Sequence, residues 1–129
     1  MTKGRNIEEI QIGDEAEYSR KISEDDVRHF IGATGVAAGT SPGLATVPEM
    51  LCASLISIVL STSLPGSGTR YLSQILHFRQ PVHVGDTVTA RVTVTDKHEI
   101  SNWIHVKTVC VNQKGDIVTD GEAIVMPPK

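Results

Sequence analysis

Glu49 is the one acidic side chain between Asp26 and Asp86, and no histidine occurs between His29 and His77. Catalysis by proton transfer needs two titratable groups within hydrogen-bond reach of one reacting atom or one water. The middle of the chain therefore offers a single carboxylate and no partner for it. Glu49 follows Pro48 at the head of an apolar run, where a first-turn glutamate complements the positive end of a helix dipole and Pro48 takes an early helical position. Within that run only Ser54 and Ser57 are polar. A helix serine can return its hydroxyl to a carbonyl one turn earlier; Ser54 reads that way, and for Ser57 it is one of two readings.

The other reactive side chains are scattered. His29 falls in a helical stretch and reads as solvent-facing. His77, His83, His98 and His105 lie in or beside strand patterns without a His-x-x-x-His spacing, so none is chosen as catalytic and no metal site is expected. His105 alternates with Trp103 and Lys107 on what reads as an outer strand face. Cys52 in the apolar run and Cys110 in a strand pattern read as buried small hydrophobes, with no Cys-x-x-Cys pair to suggest zinc or redox chemistry. The glycines between Leu64 and Thr69 lack the Gly-Lys-Ser/Thr ending of a phosphate loop, so their role is to turn the chain. No cofactor is indicated.

These side chains need elements to hold them. From Met50 to Leu60 the run is apolar on nearly every face, which predicts a helix buried all round; a bilayer span needs roughly 20 apolar residues, so it is a core helix and no membrane partner is expected. Pro65-Gly66-Ser67-Gly68 stops it. Residues 1–12 are polar and lead to a first strand at 15–20. Ser23 then caps a short helix whose first turn holds Glu24, Asp25 and Asp26, and Gly32 to Gly35 end it. Residues 36–46 are small and uncharged, without helical or strand periodicity, and read as a loop. Strands are predicted at 69–78, 87–95, 103–111 and 117–126. In the second, Val88, Ala90, Val92 and Val94 alternate with Thr89, Arg91, Thr93 and Thr95, the mark of a half-buried strand. Gly85-Asp86 separates the first two strands, and Asn112-Gln113-Lys114-Gly115 forms a hairpin turn between the last two.

At 129 residues the chain has room for one domain, 1–129, with one core. One apolar helix among antiparallel strands is an α+β pattern, with the sheet curving to cover the helix. A formal charge of −3 with scattered Lys and Arg argues against a nucleic-acid partner. The opening Met-Thr-Lys-Gly-Arg-Asn has no apolar signal region, so a cytoplasmic protein is expected.

Several blocks in order carry a family likeness: Ile12-Gly13-Asp14, Ile22-Ser23-x-x-Asp26-Val27-x-x-Phe30, Ala53-Ser54-Leu55-Ile56-Ser57, Leu64-Pro65-Gly66-x-Gly68-Thr69-x-Tyr71-Leu72-Ser73-Gln74, Phe78-x-x-Pro81-Val82, Gly85-Asp86-Thr87-Val88 and Asp120-Gly121-Glu122-Ala123. Together they resemble the MaoC-like family of hot-dog-fold proteins, whose best-known members are (R)-specific enoyl-CoA hydratases and 3-hydroxyacyl-thioester dehydratases. The resemblance implies a curved antiparallel sheet wrapped around a central helix. It also implies an acyl thioester of CoA or of acyl carrier protein as ligand, and a homodimer, with a heterodimer beside an active homologue as a further arrangement.

It implies a site as well. The hydratases of this family carry Asp and His in an Asp-x-Asn-Pro-x-His segment after the first helix, where the two side chains activate a water. Here Thr34-Gly35 is followed by Val36-Ala37-Ala38-Gly39-Thr40. Val36 stands at the Asp position, the His has no counterpart, and the segment is shorter than the family's. At the family's His-Gly-Met-Leu, where a backbone amide donates to the thioester carbonyl, this chain has Pro48-Glu49-Met50-Leu51. The amide logic survives this change, which makes Met50 a substrate-binding candidate. Ser57 matches a pocket-lining serine and is the second. Glu49 is the only catalytic candidate, as a substitute base. The expectation is an acyl-thioester protein with lost or weak hydratase activity. The alternatives are an active hydratase or dehydratase using other residues, and a hot-dog thioesterase with Glu49 as base.

Overall fold

The computed structural model of the chain describes residues 3–34 and 46–129. Strands β1 (Glu15–Lys21), β3 (Arg70–Phe78), β5 (Thr87–His98), β6 (Trp103–Val111) and β7 (Ile117–Met126) form an antiparallel sheet in the order β1-β5-β6-β7-β3. Helix α2 (Glu49–Thr62) lies across its inner face, and α1 (Glu24–Thr34) precedes it. A second, two-stranded sheet pairs β2 (Thr46–Val47) with β4 (Val82–His83). This is the curved sheet around a helix that the sequence led us to expect. Among the described residues no helix is long and apolar enough to cross a membrane.

Alternation places the core. Val88, Ala90, Val92 and Val94 on β5 point inward, as do Ile104, Val106 and Cys110 on β6 and Ala123 and Val125 on β7, against Cys52, Leu55, Ile56, Val59 and Leu60 of α2. Trp103, His105 and Lys107 take the outer face opposite them. β5 runs on to His98, past Thr95, because a bulge between Val94 and Asp96 resets its register with β6. The β6–β7 turn is held as its residues suggest: Asn112 Oδ1 accepts from the amides of Lys114 (2.9 Å) and Asp116 (3.1 Å), with Gly115 at φ 84.

Five expectations need correction. Residues 1–12 do more than lead into β1: Asn6 and Glu9 cap a 3₁₀ turn, Ile7–Glu9, by reciprocal side-chain bonds of 3.1 Å, and this seats Ile7 and Ile10 in the core. Helix α1 continues through Gly32 to Thr34, beyond the expected break; Gly35 lies outside the described residues. The expected loop at 36–46 also lies outside them except for Thr46, which pairs with His83 in β2. Pro48 is the residue before α2, with ψ 135, and is not in its first turn.

The fifth correction matters most for function, because α2 is not buried all round. It packs chiefly on β5 and only lightly on β3, so Met50 remains 56 % exposed and Ser54 and Ser61 are open. A gap is left between the helix and the edge strand.

Candidate functional site

The gap between α2 and β3 is a groove of about 340 Å³. From the helix, Met50, Ala53, Ser54 and Ser57 line it, a stripe at helical spacing. From the strand come Tyr71, Leu72, Ser73, Gln74 and Leu76. Among the described residues, not one that lines this groove is a carboxylate, an imidazole or an amine.

The hydroxyls of α2 divide into two kinds. Ser54 Oγ donates to Leu51 O at 2.6 Å, Ser61 Oγ to Ser57 O at 2.7 Å and Thr62 Oγ1 to Ile58 O at 2.5 Å, each returned to its own helix. Ser57 Oγ has no hydrogen-bond partner among the described residues. Of the two readings left open for Ser57, the local carbonyl bond is absent, and its hydroxyl is free to meet a ligand in the groove. At the head of the helix Pro48 supplies no side-chain cap, so the first-turn amides of α2 lack a capping side chain.

The strand side of the groove carries a polar chain. Tyr71 OH donates to Gln74 Oε1 at 3.2 Å. Gln74 Nε2 in turn donates to Ile75 O at 2.9 Å and to Thr108 Oγ1 and Glu122 O, each at 3.1 Å. Thr108 is fully buried on β6, and Gly121 of β7 separates it from Leu76 of β3. A Cβ on Gly121 would fall 1.8 Å from the Ile75 carbonyl oxygen, so only glycine lets the strands close here. Burial pushes the Tyr71 phenol up to about 12; it stays neutral and keeps its proton to donate. Sequence reasoning missed Tyr71, Gln74 and Thr108. The available signal was an amide, Gln74, beside Ile75 and Leu76 in a strand pattern, but a bulge between Tyr71 and Ser73 shifts the inward phase, so simple alternation could not have said which way it points.

Of the residues singled out beforehand, the groove brings together Met50 and Ser57. Glu49 is exposed and is not among the wall residues. The segment from Val36, where the resemblance puts the water-activating pair, lies outside the described residues. A second cleft, of about 300 Å³, lies on the other side of Ser54, with His29 and Phe30 of α1 facing Leu51 and Ile58 of α2. At its rim Arg20 grips Asp26 by two bonds, of 2.6 and 3.1 Å. The Arg20 bonds, and then the Ser23 amide, hold the Asp26 carboxyl at about 2, so this carboxylate is ionised and committed.

The remaining histidines stand apart. His77 is on β3, His83 on β4, His98 stacks on Trp103 with ring centroids 3.7 Å apart, and His105 sits on the outer face 3.4 Å from Glu122. Among the described residues no group of three or more His, Cys, Asp and Glu is arranged to hold a metal. Cys52 and Cys110 are both buried, the second with its thiol 3.7 Å from the Cys52 carbonyl, and burial pushes them up to about 11 and 12. At neutral pH both are inert thiols.

Comparison with known proteins places this geometry. The family profile described as FAS1-like, dehydratase domain region, matches residues 10–121. The chain is 39 % identical to an (R)-specific enoyl-CoA hydratase of Rhodospirillum rubrum, over 95 % of this chain and 91 % of that one. It is 37 % identical to a 3-hydroxybutyryl-CoA dehydratase of Methylorubrum extorquens, over 95 % and 84 %. An R-hydratase of Pseudomonas aeruginosa, solved unliganded, superposes with a TM-score of 0.88 at 34 % identity, over 98 % of this chain and 87 % of that one. The first alignment runs to 137 positions, more than the 129 residues of this chain, so it must open gaps in it.

Proposed function

The chain belongs to the family of FAS1-like dehydratase domains, and on that premise we propose that it binds acyl thioesters in the α2–β3 groove while hydrating or dehydrating them weakly or not at all. It is related to (R)-specific enoyl-CoA hydratases and 3-hydroxyacyl dehydratases. The observation that supports reduced activity is the groove wall, which among the described residues offers Met50 and the free hydroxyl of Ser57 but no acid or base. The sequence agrees, since the residues after Thr34 read Gly35-Val36-Ala37-Ala38-Gly39 and no histidine occurs between His29 and His77. Each proton transfer lost is worth about 10²- to 10⁴-fold in rate.

The ligand end of the groove follows from helix physics. The uncapped first turn of α2 presents amide donors and the positive end of the dipole, suited to a thioester carbonyl beside Met50. Either CoA or an acyl carrier protein can present such a thioester. The protein acts as a homodimer, because β3 is a sheet edge carrying exposed Leu72, Ile75 and Phe78, and association covers both that edge and the open flank of the groove. Pairing with an active homologue through the same edge would supply the acid and base that the described groove wall lacks. A thioesterase or a residual hydratase relying on Glu49 has less support, since Glu49 stands outside the groove wall.

The test is to titrate the purified chain with crotonyl-CoA by calorimetry and to follow hydration by the loss of enoyl absorbance. Binding with turnover far below 1 s⁻¹ is expected. Turnover of order 10 s⁻¹, abolished by Glu49→Ala, would make Glu49 the base and overturn the reading. Release of free thiol would instead identify a thioesterase.

A further inference from the structure

Helix α2 ends at Thr62 and β3 begins at Arg70, so along the chain Ser57 and Tyr71 are the groove residues on either side of the connection and Met50 and Leu76 lie farthest from it. At a rise of 1.5 Å per residue, Met50 and Ser57 stand about 10 Å apart along the axis. An acyl group with its thioester at the head of α2 therefore points its methyl end toward Tyr71.

Resting on the reading of this groove as an acyl-thioester site, we propose that it is a short-chain site whose far end is set by the hydrogen-bonded chain of Tyr71, Gln74 and Thr108. The two amide hydrogens of Gln74 are shared among Ile75 O, Thr108 Oγ1 and Glu122 O. The Tyr71 hydroxyl hydrogen is committed to Gln74 Oε1. An alkyl chain reaching this point finds polar groups already paired with one another. To pass, it would have to displace Gln74 and leave the buried hydroxyl of Thr108 and the carbonyl of Glu122 without that donor, which is more costly than never having formed the bonds. Gly121 cannot yield room, because its main chain already meets the Ile75 carbonyl. Gln74 is thus the adjustable part of the floor, and Tyr71 holds it in place.

The test measures dissociation constants for CoA, butyryl-CoA, hexanoyl-CoA and decanoyl-CoA on the full chain and on Tyr71→Phe and Gln74→Leu. An unobstructed apolar groove tightens binding roughly fourfold for each added methylene. We expect that gain from butyryl to hexanoyl and none from hexanoyl to decanoyl. In Tyr71→Phe decanoyl-CoA should bind about threefold tighter than in the parent chain, and in Gln74→Leu about tenfold, each a larger gain than the same variant shows for butyryl-CoA. Tyr71→Phe removes one hydroxyl from a half-exposed ring and decides the matter should Gln74→Leu fail to fold. Decanoyl-CoA binding more than tenfold tighter than hexanoyl-CoA in the parent chain, or an unaltered chain-length profile in Tyr71→Phe, overturns the floor alone. Equal affinity for CoA and every thioester overturns the acyl site beneath it.

Discussion

Single atoms decide more here than residue types do. Three hydroxyls of α2 are spent on its own carbonyls and one, on Ser57, is not, although nothing in their local sequence separates them. The difference is that Ser57 faces the groove left by the lightly packed β3. Gly121 is the converse case, a residue defined by what it lacks. Gly121→Ala should destabilise the fold by about 3 kcal/mol, since the new methyl meets backbone that can move only by parting β3 from β7; chemical denaturation would measure it, and a loss under 1 kcal/mol would mean the strand pair is looser than it stands. Cys52 and Cys110 should resist a thiol reagent at pH 7 and both react once the chain is unfolded, because each is buried and held protonated. Rapid labelling of the native protein would contradict that.

Among the elements, α1 shows how a sequence pattern becomes a local device. Ser23 Oγ accepts from the Asp26 amide at 3.1 Å, the cap that the sequence led us to expect, and Asp26 Oδ2 accepts from the Ser23 amide at 3.0 Å, which makes it reciprocal. Arg20, on β1, adds an ion pair that ties the helix to the sheet. The Asp26 carboxyl is held at about 2, below its ordinary 3.8, so its contribution is fully present above about pH 4 and is lost as pH falls through 2. The pair is partly exposed and screened, so the effect is at most about 1 kcal/mol. Arg20→Gln should therefore melt lower than the parent at pH 7 and approach it near pH 2; a difference that grew on acidification would exclude this linkage. The two edge strands differ in the same concrete way. β1 offers Glu15 and Glu17, engaged with Thr93 and Arg91, and a charged edge discourages strand addition. β3 offers Leu72 and Ile75, about half exposed.

At the scale of the whole molecule that asymmetry makes β3 the edge more open to association. We expect a homodimer closed through β3, so Ile75→Glu should shift sedimentation from dimer to monomer and weaken acyl-CoA binding, whereas a charge reversal at Glu17 on the β1 edge should do neither. A parent chain that sediments as a monomer at micromolar concentration would sink this. Much of the architecture was legible beforehand. The strict alternation of residues 87–95, the turn at 112–115 and the apolar run that became α2 placed the main strands and the core helix to within a few residues, because those signals are local and the period of side-chain burial is set by backbone geometry. The absence of an Asp and a His in the segment directly after Thr34 was equally plain in the residues themselves. What the sequence could not determine was which face of α2 stays open, which serine keeps its hydroxyl free, and that Tyr71, Gln74 and Thr108 join across three strands. Those depend on a bulge, a register and a missing side chain at Gly121, contacts between residues far apart in the chain, and only the folded sheet brings them within hydrogen-bond reach.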